Sequence, residues 1–410
     1  MTTIRTARTR ASVTAALALA LALGCAAPAA QAHARTPAAA TAAAATAPTT
    51  AADGVVLPRP TGAFPVGRST LHLVDRARQD PWMPDRPREL MVDVRYPARS
   101  AAGDPAPYAR PQEARALLEA LGVSDPATVE RLTATRTHSV PGARPQRGRH
   151  PLVLLSPGFG VPRYTLTTLA EDLASRGYVV ATVDHAYEAN GVAFPGGRVL
   201  TCVACTKAQT EEDFRAATEG RGRDLAFVLD RLTGPRPAWR YASVVDRRRI
   251  GAAGHSLGGA AAASVMRQDP RVRAGVNMDG SFGDPVPDGG LGGRPFLMLG
   301  THEAHDGMHL PGGPDRTWDA AWHNLDGWKR WLTVTGSDHY TFSDGPVLFD
   351  QLDELPYPFP GEPGLPADHA VDLVRTYTAA FFDRHLRHRP QPLLDGPSDA
   401  YPEVHFQQPQ

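Results

Sequence analysis

The sequence predicts an α/β fold: a mostly parallel central sheet flanked by helices, with an antiparallel pair of strands at its N-terminal edge. Three observations carry this. Near-continuous apolar runs of strand length at 151–155 and 178–183 are separated by one helical stretch, 165–176, whose Leu166, Leu169, Ala170 and Leu173 share a face. Two buried strands joined through a helix imply a right-handed crossover and parallel pairing. The runs 68–74 and 89–96 instead alternate apolar and polar residues, as half-exposed antiparallel strands do. Finally, the apolar strand ending at Ala253 turns through Gly254 directly into an Ala-rich helix over 260–266.

In chain order, residues 1–34 read as a secretory signal peptide. Arg5, Arg8 and Arg10 precede an apolar run over 11–24, too short to span a membrane, and Ala-x-Ala sites follow at 30–32 and 32–34. Export to the extracellular space is expected. Lipid anchoring at Cys25 is the weaker alternative, because Ala22-Leu23-Gly24-Cys25 is a poor lipobox. Residues 35–57 are an Ala/Thr/Pro linker without the apolar bulk to bury a core, so disorder is expected there. The folded domain is expected over 58–390. Within it, 97–147 is rich in Pro, Ala and Arg, carries one helical piece at 113–121, and reads as an insertion over the sheet. Residues 192–201 read as a hairpin turning at Gly196-Gly197, and 210–232 as a long helix. Strands are expected at 272–278, 295–299 and 330–335, with a helix over 318–328. A terminal helix over 368–386 packs through Val371, Leu373, Val374, Tyr377, Phe381 and Phe382. Residues 391–410 are expected to form a C-terminal tail.

Lys+Arg and Asp+Glu both number 43, so the formal net charge is zero. The single basic run, Arg247-Arg248-Arg249, reads as a solvated loop ahead of the elbow strand. No nucleic-acid partner is expected. There are three cysteines, and Cys202 and Cys205 remain if Cys25 leaves with the signal. In an exported protein such a pair closes a small disulfide loop more often than it performs redox chemistry. No further metal ligands lie nearby, so no metal site is expected.

Gly254-His255-Ser256-Leu257-Gly258 fits G-x-S-x-G, the nucleophile elbow of the α/β-hydrolase fold. The glycines let a strained turn lift Ser256 out of the sheet, beside free N–H groups at a helix start. A serine hydroxyl then needs a base, and the base needs a third group to fix its tautomer. In this fold the order is Ser, acid, His. Of fifteen histidines, His339 follows the final expected strand. His302, His305, His309 and His323 precede it, and His369, His385 and His388 lie on or beside the terminal helix. His255 adjoins Ser256 but points to the opposite face. For the acid, Asp279 ends the strand after the elbow helix and Asp306 lies in the loop after the next strand; the residues alone leave them level. Asp284, Asp288 and Asp338 suit turns. Two backbone N–H groups, of Leu257 and of Phe159 in Gly158-Phe159-Gly160, suit an oxyanion hole. The expected chemistry is ester cleavage through an acyl-enzyme, with no organic or metal cofactor. An acyltransferase, or a non-catalytic hydrolase-fold binding protein, is the competing class.

Several segments agree in order with one family. Residues 155–160, 172–180, 254–260, 276–280 and 336–339 together resemble the plasma-type platelet-activating factor acetylhydrolases, across roughly 65–385. The resemblance implies a calcium-independent serine esterase acting on short or oxidised acyl chains of phospholipids, with transient contact to a lipid surface. It places the acid after the strand that follows the elbow helix, which is Asp279, at 279 − 256 = 23 positions past the serine. It also supports Phe159 and Leu257 as oxyanion donors. Leu257 stands where plasma members carry Phe, and the 301–317 loop differs from theirs. Bacterial relatives of this architecture include general lipases and cutinase-like polyester hydrolases, which form the alternative reading.

Overall fold

A computed structural model describes residues 53–302, 315–356 and 364–408. The expected signal peptide, Cys25, most of the linker, and the loop bearing His305, Asp306 and His309 lie outside the described residues. Among the described residues, no helix is long and apolar enough to cross a membrane.

One ten-stranded sheet organises the chain, in the order β12-β11-β10-β9-β8-β4-β5-β2-β1-β3. Its centre is parallel: β4 (His150–Ser156) lies between β5 (Val179–His185) and β8 (Val245–His255), followed by β9 (Ala274–Met278), β10 (Phe296–Thr301) and β11 (Lys329–Val334). The alternating runs form β1 (Val66–Gln79) and β2 (Pro87–Pro97), paired antiparallel. β2 also pairs antiparallel with β5, and a three-residue strand, β3 (Ser139–Pro141), adds parallel to β1. The Gly196-Gly197 segment turns a separate hairpin of β6 (Val192–Phe194) and β7 (Arg198–Leu200).

Alternation along the central strands divides the core in two. Leu152, Leu154 and Ala252 face the helices α5 (Glu211–Thr233) and α6 (Leu257–Gln268). Val153, Leu155 and Ala253 face α3 (Thr167–Ser175) and the terminal helix Ala367–Arg387. The insertion supplies α1 (Pro111–Ala120) and α2 (Pro126–Ala134), which pack on Leu348, Leu352 and Val371. A short α4 (Ala204–Lys207) follows β7.

Four local expectations change. The end of the expected disordered linker is part of the fold, because Val55 and Leu57 are buried against the insertion helices and Val55 N donates to Thr135 Oγ1 at 2.9 Å. Residues 391–410 are not merely a tail, because β12 (Val404–Gln407) pairs antiparallel with β11. Arg247-Arg248-Arg249 belong to β8 rather than to a preceding loop; the register jumps between Pro151↔Asp246 and Leu152↔Ile250, so the three form an outward bulge. The helix expected over 318–328 is Arg316–Asn324, ending before Asp326-Gly327.

Register then sets the site. Ser156, Gly254, Asn277 and Met298 stand side by side across β4, β8, β9 and β10. The chain therefore leaves each of these strands at one common edge of the sheet, where sites assemble in open α/β folds.

Candidate active site

Ser256 follows β8 and caps α6, with φ 55° and ψ −127°. That left-handed value is strained for a residue with a Cβ. The neighbours explain why it persists. A Cβ at Gly254 or Gly258 would collide with the carbonyl of Ser156, and one at Gly280 would collide with the carbonyl of Ser256 itself. Absent side chains bring three segments into backbone contact and leave the serine half-buried at the helix start.

His339 opens the 3-10 turn His339–Phe342 just beyond β11. Asp338 caps this turn by accepting from Tyr340 N (2.6 Å) and Thr341 N (3.0 Å), the turn role expected for it. The His339 ring is about one-third exposed, and its Nδ1 lies 2.6 Å from Asp279 Oδ2. Asp279 is buried, with φ 58°, and its Oδ1 accepts from Thr301 N at 2.7 Å. A carboxylate can only accept, so in the neutral ring Nδ1 carries the proton and Nε2 keeps its lone pair. The Ser256 hydroxyl forms no hydrogen bond to this ring. Serine–base bonds commonly close only around substrate.

Sequence reasoning missed three supporting residues. Asn277, fully buried, donates from Nδ2 to Gly280 O (2.7 Å) and accepts Gly280 N on Oδ1 (2.9 Å), so one amide folds the turn that presents Asp279. Trp318 Nε1 donates to the same Gly280 carbonyl at 2.8 Å. His255 contributes in a way the alternation of side chains did not reveal. Its Nε2 donates to the His339 backbone carbonyl at 2.6 Å, and the two rings lie 4.7 Å apart. Burial, then the neighbouring His339, push its pKa down to about 3, so the ring is neutral. The loop offers its own clue: a Cβ at Gly158 would come within 3.1 Å of the His255 ring, so the glycine lets the ring sit against the loop.

The residues expected as oxyanion donors share one side-chain cluster. Phe159, in the loop after β4, and Leu257, first residue of α6, belong to one apolar cluster with Trp82, Phe214, Tyr187 and Cys202. Neither N–H donates to an acceptor among the described residues. Phe159 and Phe214 meet edge to face at 5.4 Å. Cys202 and Cys205 are bonded to each other, and the loop they close borders this cluster.

A second Ser-His-Asp chain lies behind the loop. Ser156 Oγ is 3.0 Å from His185 Nε2, and His185 Nδ1 is 2.8 Å from Asp224 Oδ2. It has every bond of a triad, yet all three residues are at most 1% exposed. No ester can reach Ser156, whereas Ser256 is open to the sheet edge. Asp224 is also bound through two oxygens by Arg88, whose nearby guanidinium holds the carboxyl well below the usual range against the cost of burial. This chain is architecture.

The remaining candidates are dispersed. Asp284 accepts from Ser264 Oγ (2.5 Å) and Arg267 on α6, and Asp288 meets Asn324. His302 contacts Thr333, His369 contacts Glu403, and His385 packs at a tilt against Trp328. Asp306 lies outside the described residues.

Comparison with known proteins gives a consistent picture. Residues 52–194 match the family model described as platelet-activating factor acetylhydrolase, isoform II. A protein of Arthroderma benhamiae named probable 1-alkyl-2-acetylglycerophosphocholine esterase is 30% identical over 392 residues, covering 86% of this chain and 93% of that protein. A bis(hydroxyethyl) terephthalate hydrolase of Streptomyces coelicolor is 26% identical over 174 residues, 40% of this chain and 47% of the relative. Among solved structures, a ferulic acid esterase from Streptomyces cinnamoneus is 48% identical, with a TM-score of 0.77 over 87% of this chain and all of that one.

The buried state of His255 makes a pH prediction. Its imidazole protonates near the ordinary 6.5 when unfolded but only near 3 when folded, so between those values unfolding takes up a proton. The neutral ring's contribution is complete above pH 6.5 and shrinks as pH falls. Between pH 6.5 and 5.0, urea-unfolding stability of the wild type is expected to drop by about 2 kcal/mol relative to His255→Gln. A difference that does not move with pH would show that the ring is not held neutral.

Proposed function

The chain belongs to the platelet-activating factor acetylhydrolase family of α/β-hydrolases and is a carboxylic ester hydrolase, and on that premise we propose that Ser256, His339 and Asp279 are its catalytic triad. The observation that carries the proposal is the 2.6 Å bond from His339 Nδ1 to a buried Asp279, at the sheet edge where the strained Ser256 turn also lies. His339 Nε2 takes the Ser256 proton as Oγ attacks the ester carbonyl. The tetrahedral oxyanion is held by the N–H groups of Phe159 and Leu257. The imidazolium, steadied by Asp279, protonates the departing alcohol, and water cleaves the acyl-enzyme by the same route.

In this reading Ser256→Ala abolishes turnover, by roughly 10⁶ in kcat, and Asp279→Asn costs up to about 10⁴ because an amide favours the wrong tautomer. Asp306→Asn leaves kcat near wild type. Steady-state kinetics on one short ester, with circular dichroism to confirm folding, checks all three. A large loss at 306 with little at 279 would move the acid to the following loop.

The substrate we propose is a short-acyl lipid ester, as the name of the Arthroderma relative suggests. A second reading, an ester of an aromatic acid, is favoured by the rings of Phe159, Phe214, Trp82 and Tyr187 clustered beside Leu257, and by likeness to the ferulic acid esterase. A panel of 2-acetyl phospholipid, p-nitrophenyl esters of increasing chain length, methyl ferulate and bis(hydroxyethyl) terephthalate separates them. The first reading requires the highest kcat/KM on the acetyl phospholipid, and a preference of tenfold or more for the aromatic esters would replace it.

We also propose that the protein is exported. The 1–34 segment and the Cys202–Cys205 bond support this. Intact-mass analysis of protein from the culture medium is expected to show loss of the first 32 to 34 residues or slightly more. It is also expected to show a gain of about 2 Da on reduction. Retention of the leader, or two free thiols, would refute it.

A further inference from the structure

The carbonyl side of the Phe159 loop rests on a buried cation that the reaction scheme does not use. Arg221, on α5, is 1% exposed. Its Nη1 donates to Pro157 O at 2.6 Å and its Nη2 to Gly158 O at 3.5 Å. Its Nε donates to Glu188 Oε2 at 2.7 Å. Glu188 is fixed in turn by Arg88 Nη2 (2.6 Å) and Trp82 Nε1 (3.0 Å) on its other oxygen. Beyond Phe159, Gly160 N donates to Glu188 O (2.9 Å) and Gly160 O accepts from Asn190 N (3.1 Å). The loop is therefore clamped on both sides of Phe159, whose N–H has no acceptor among the described residues.

Peptide geometry gives this clamp a consequence. A trans peptide is planar, and its C=O and N–H point in opposite directions. Drawing the Gly158 carbonyl toward Arg221, at 3.5 Å, turns the Phe159 N–H away from the guanidinium. A charged donor on the carbonyl also withdraws density from the amide and strengthens its N–H as a donor, most of all in a dry interior. A buried guanidinium is costly to keep unless paired. Glu188 supplies the pairing while leaving two guanidinium nitrogens for the loop.

We propose that Arg221 is a positioning residue for ester hydrolysis: through the carbonyls of Pro157 and Gly158 it fixes and polarises the peptide that presents Phe159 N–H to the oxyanion. This rests on the reading of Phe159 as an oxyanion donor. Transition-state charge, not ground-state binding, feels the change, so kcat should move and KM should not.

The test compares wild type, Arg221→Lys, and the double variant Arg221→Met with Glu188→Gln, which removes the pair without leaving a carboxylate unpaired. Each is measured per active site on p-nitrophenyl acetate, and for inhibition by an alkyl trifluoromethyl ketone, which forms the tetrahedral oxyanion on serine. The expected result is a fall in kcat of about 10²-fold, comparable to loss of one oxyanion donor, with KM within threefold. Ketone affinity should fall by the same factor as kcat/KM. A residue that merely braces the fold would lower the unfolding midpoint and leave both readouts intact. Either variant folded, with kcat and ketone affinity within threefold of wild type, overturns the proposal; so does failure of both to fold, which would make Arg221 a structural residue. The two readings fail separately, because turnover surviving in Ser256→Ala sinks the triad, whereas an intact triad indifferent to Arg221 sinks only this inference.

Discussion

The approach of the Ser156 carbonyl to Gly254 and Gly258 is the contact on which the rest of the site depends. It joins the end of β4, the end of β8 and the start of α6 at distances that admit no side chain. A left-handed serine costs on the order of 1–3 kcal/mol and persists only where surroundings over-determine it. Here they do, because β4 and β8 are buried parallel strands whose register is fixed by the apolar alternation of 152–155 against two helical layers. Gly280 closes the same turn from the β9 side, against the carbonyl of Ser256. Strain at one residue is thus balanced by packing spread over three strands and two helices.

The two Ser-His-Asp chains show how little the hydrogen-bond pattern alone decides. The buried one has both bonds made, and Ser156, His185 and Asp224 satisfy one another where the chain leaves the sheet. Arg88 ties Asp224 to Glu188, and Glu188 passes the restraint on to Arg221 and the Phe159 loop. The exposed one has its acid–base bond made and its serine–base bond open. A closed polar chain in a dry interior holds a loop still. An open one, at the edge of the sheet, leaves Nε2 and Oγ for the chemistry proposed above. His255 links the two regions, packing beside Gly158 on one side and holding the His339 carbonyl on the other.

Much of this was legible in the sequence because its signals are local. Apolar runs, a period of 3.6 at 165–176, and glycines around Ser256 each report on residues a few positions apart. What escaped was non-local. β12 has the short sequence Val404-His405-Phe406-Gln407, which looks like tail until it pairs with β11 some seventy positions away. Arg221 is an ordinary charge on a helix until the fold sets it against Pro157, 64 positions earlier in the chain. Asn277 and His255 sat inside recognised segments, yet their partners, Gly280 and the His339 carbonyl, are defined by a turn and a strand end that no periodicity reports. Asp279 and Asp306 were level on spacing, and only the former falls within the described residues, bonded to His339.

The proposed function assigns chemistry and selectivity to different atoms of the same residues. On the proposed mechanism, Phe159 and Leu257 stabilise the oxyanion through backbone N–H groups, while their side chains join the aromatic cluster beside the serine. A backbone donor survives any substitution other than proline that keeps the loop in place, so the side chain at either position is free to change the shape of the wall without removing the charge stabilisation. The restraints that hold the donors come from elsewhere: the glycines at 254 and 258 for Leu257, and the guanidinium of Arg221 for the carbonyls before Phe159. On that mechanism, separating the two tasks leaves one elbow and one acid–base pair compatible with side-chain walls of different shape.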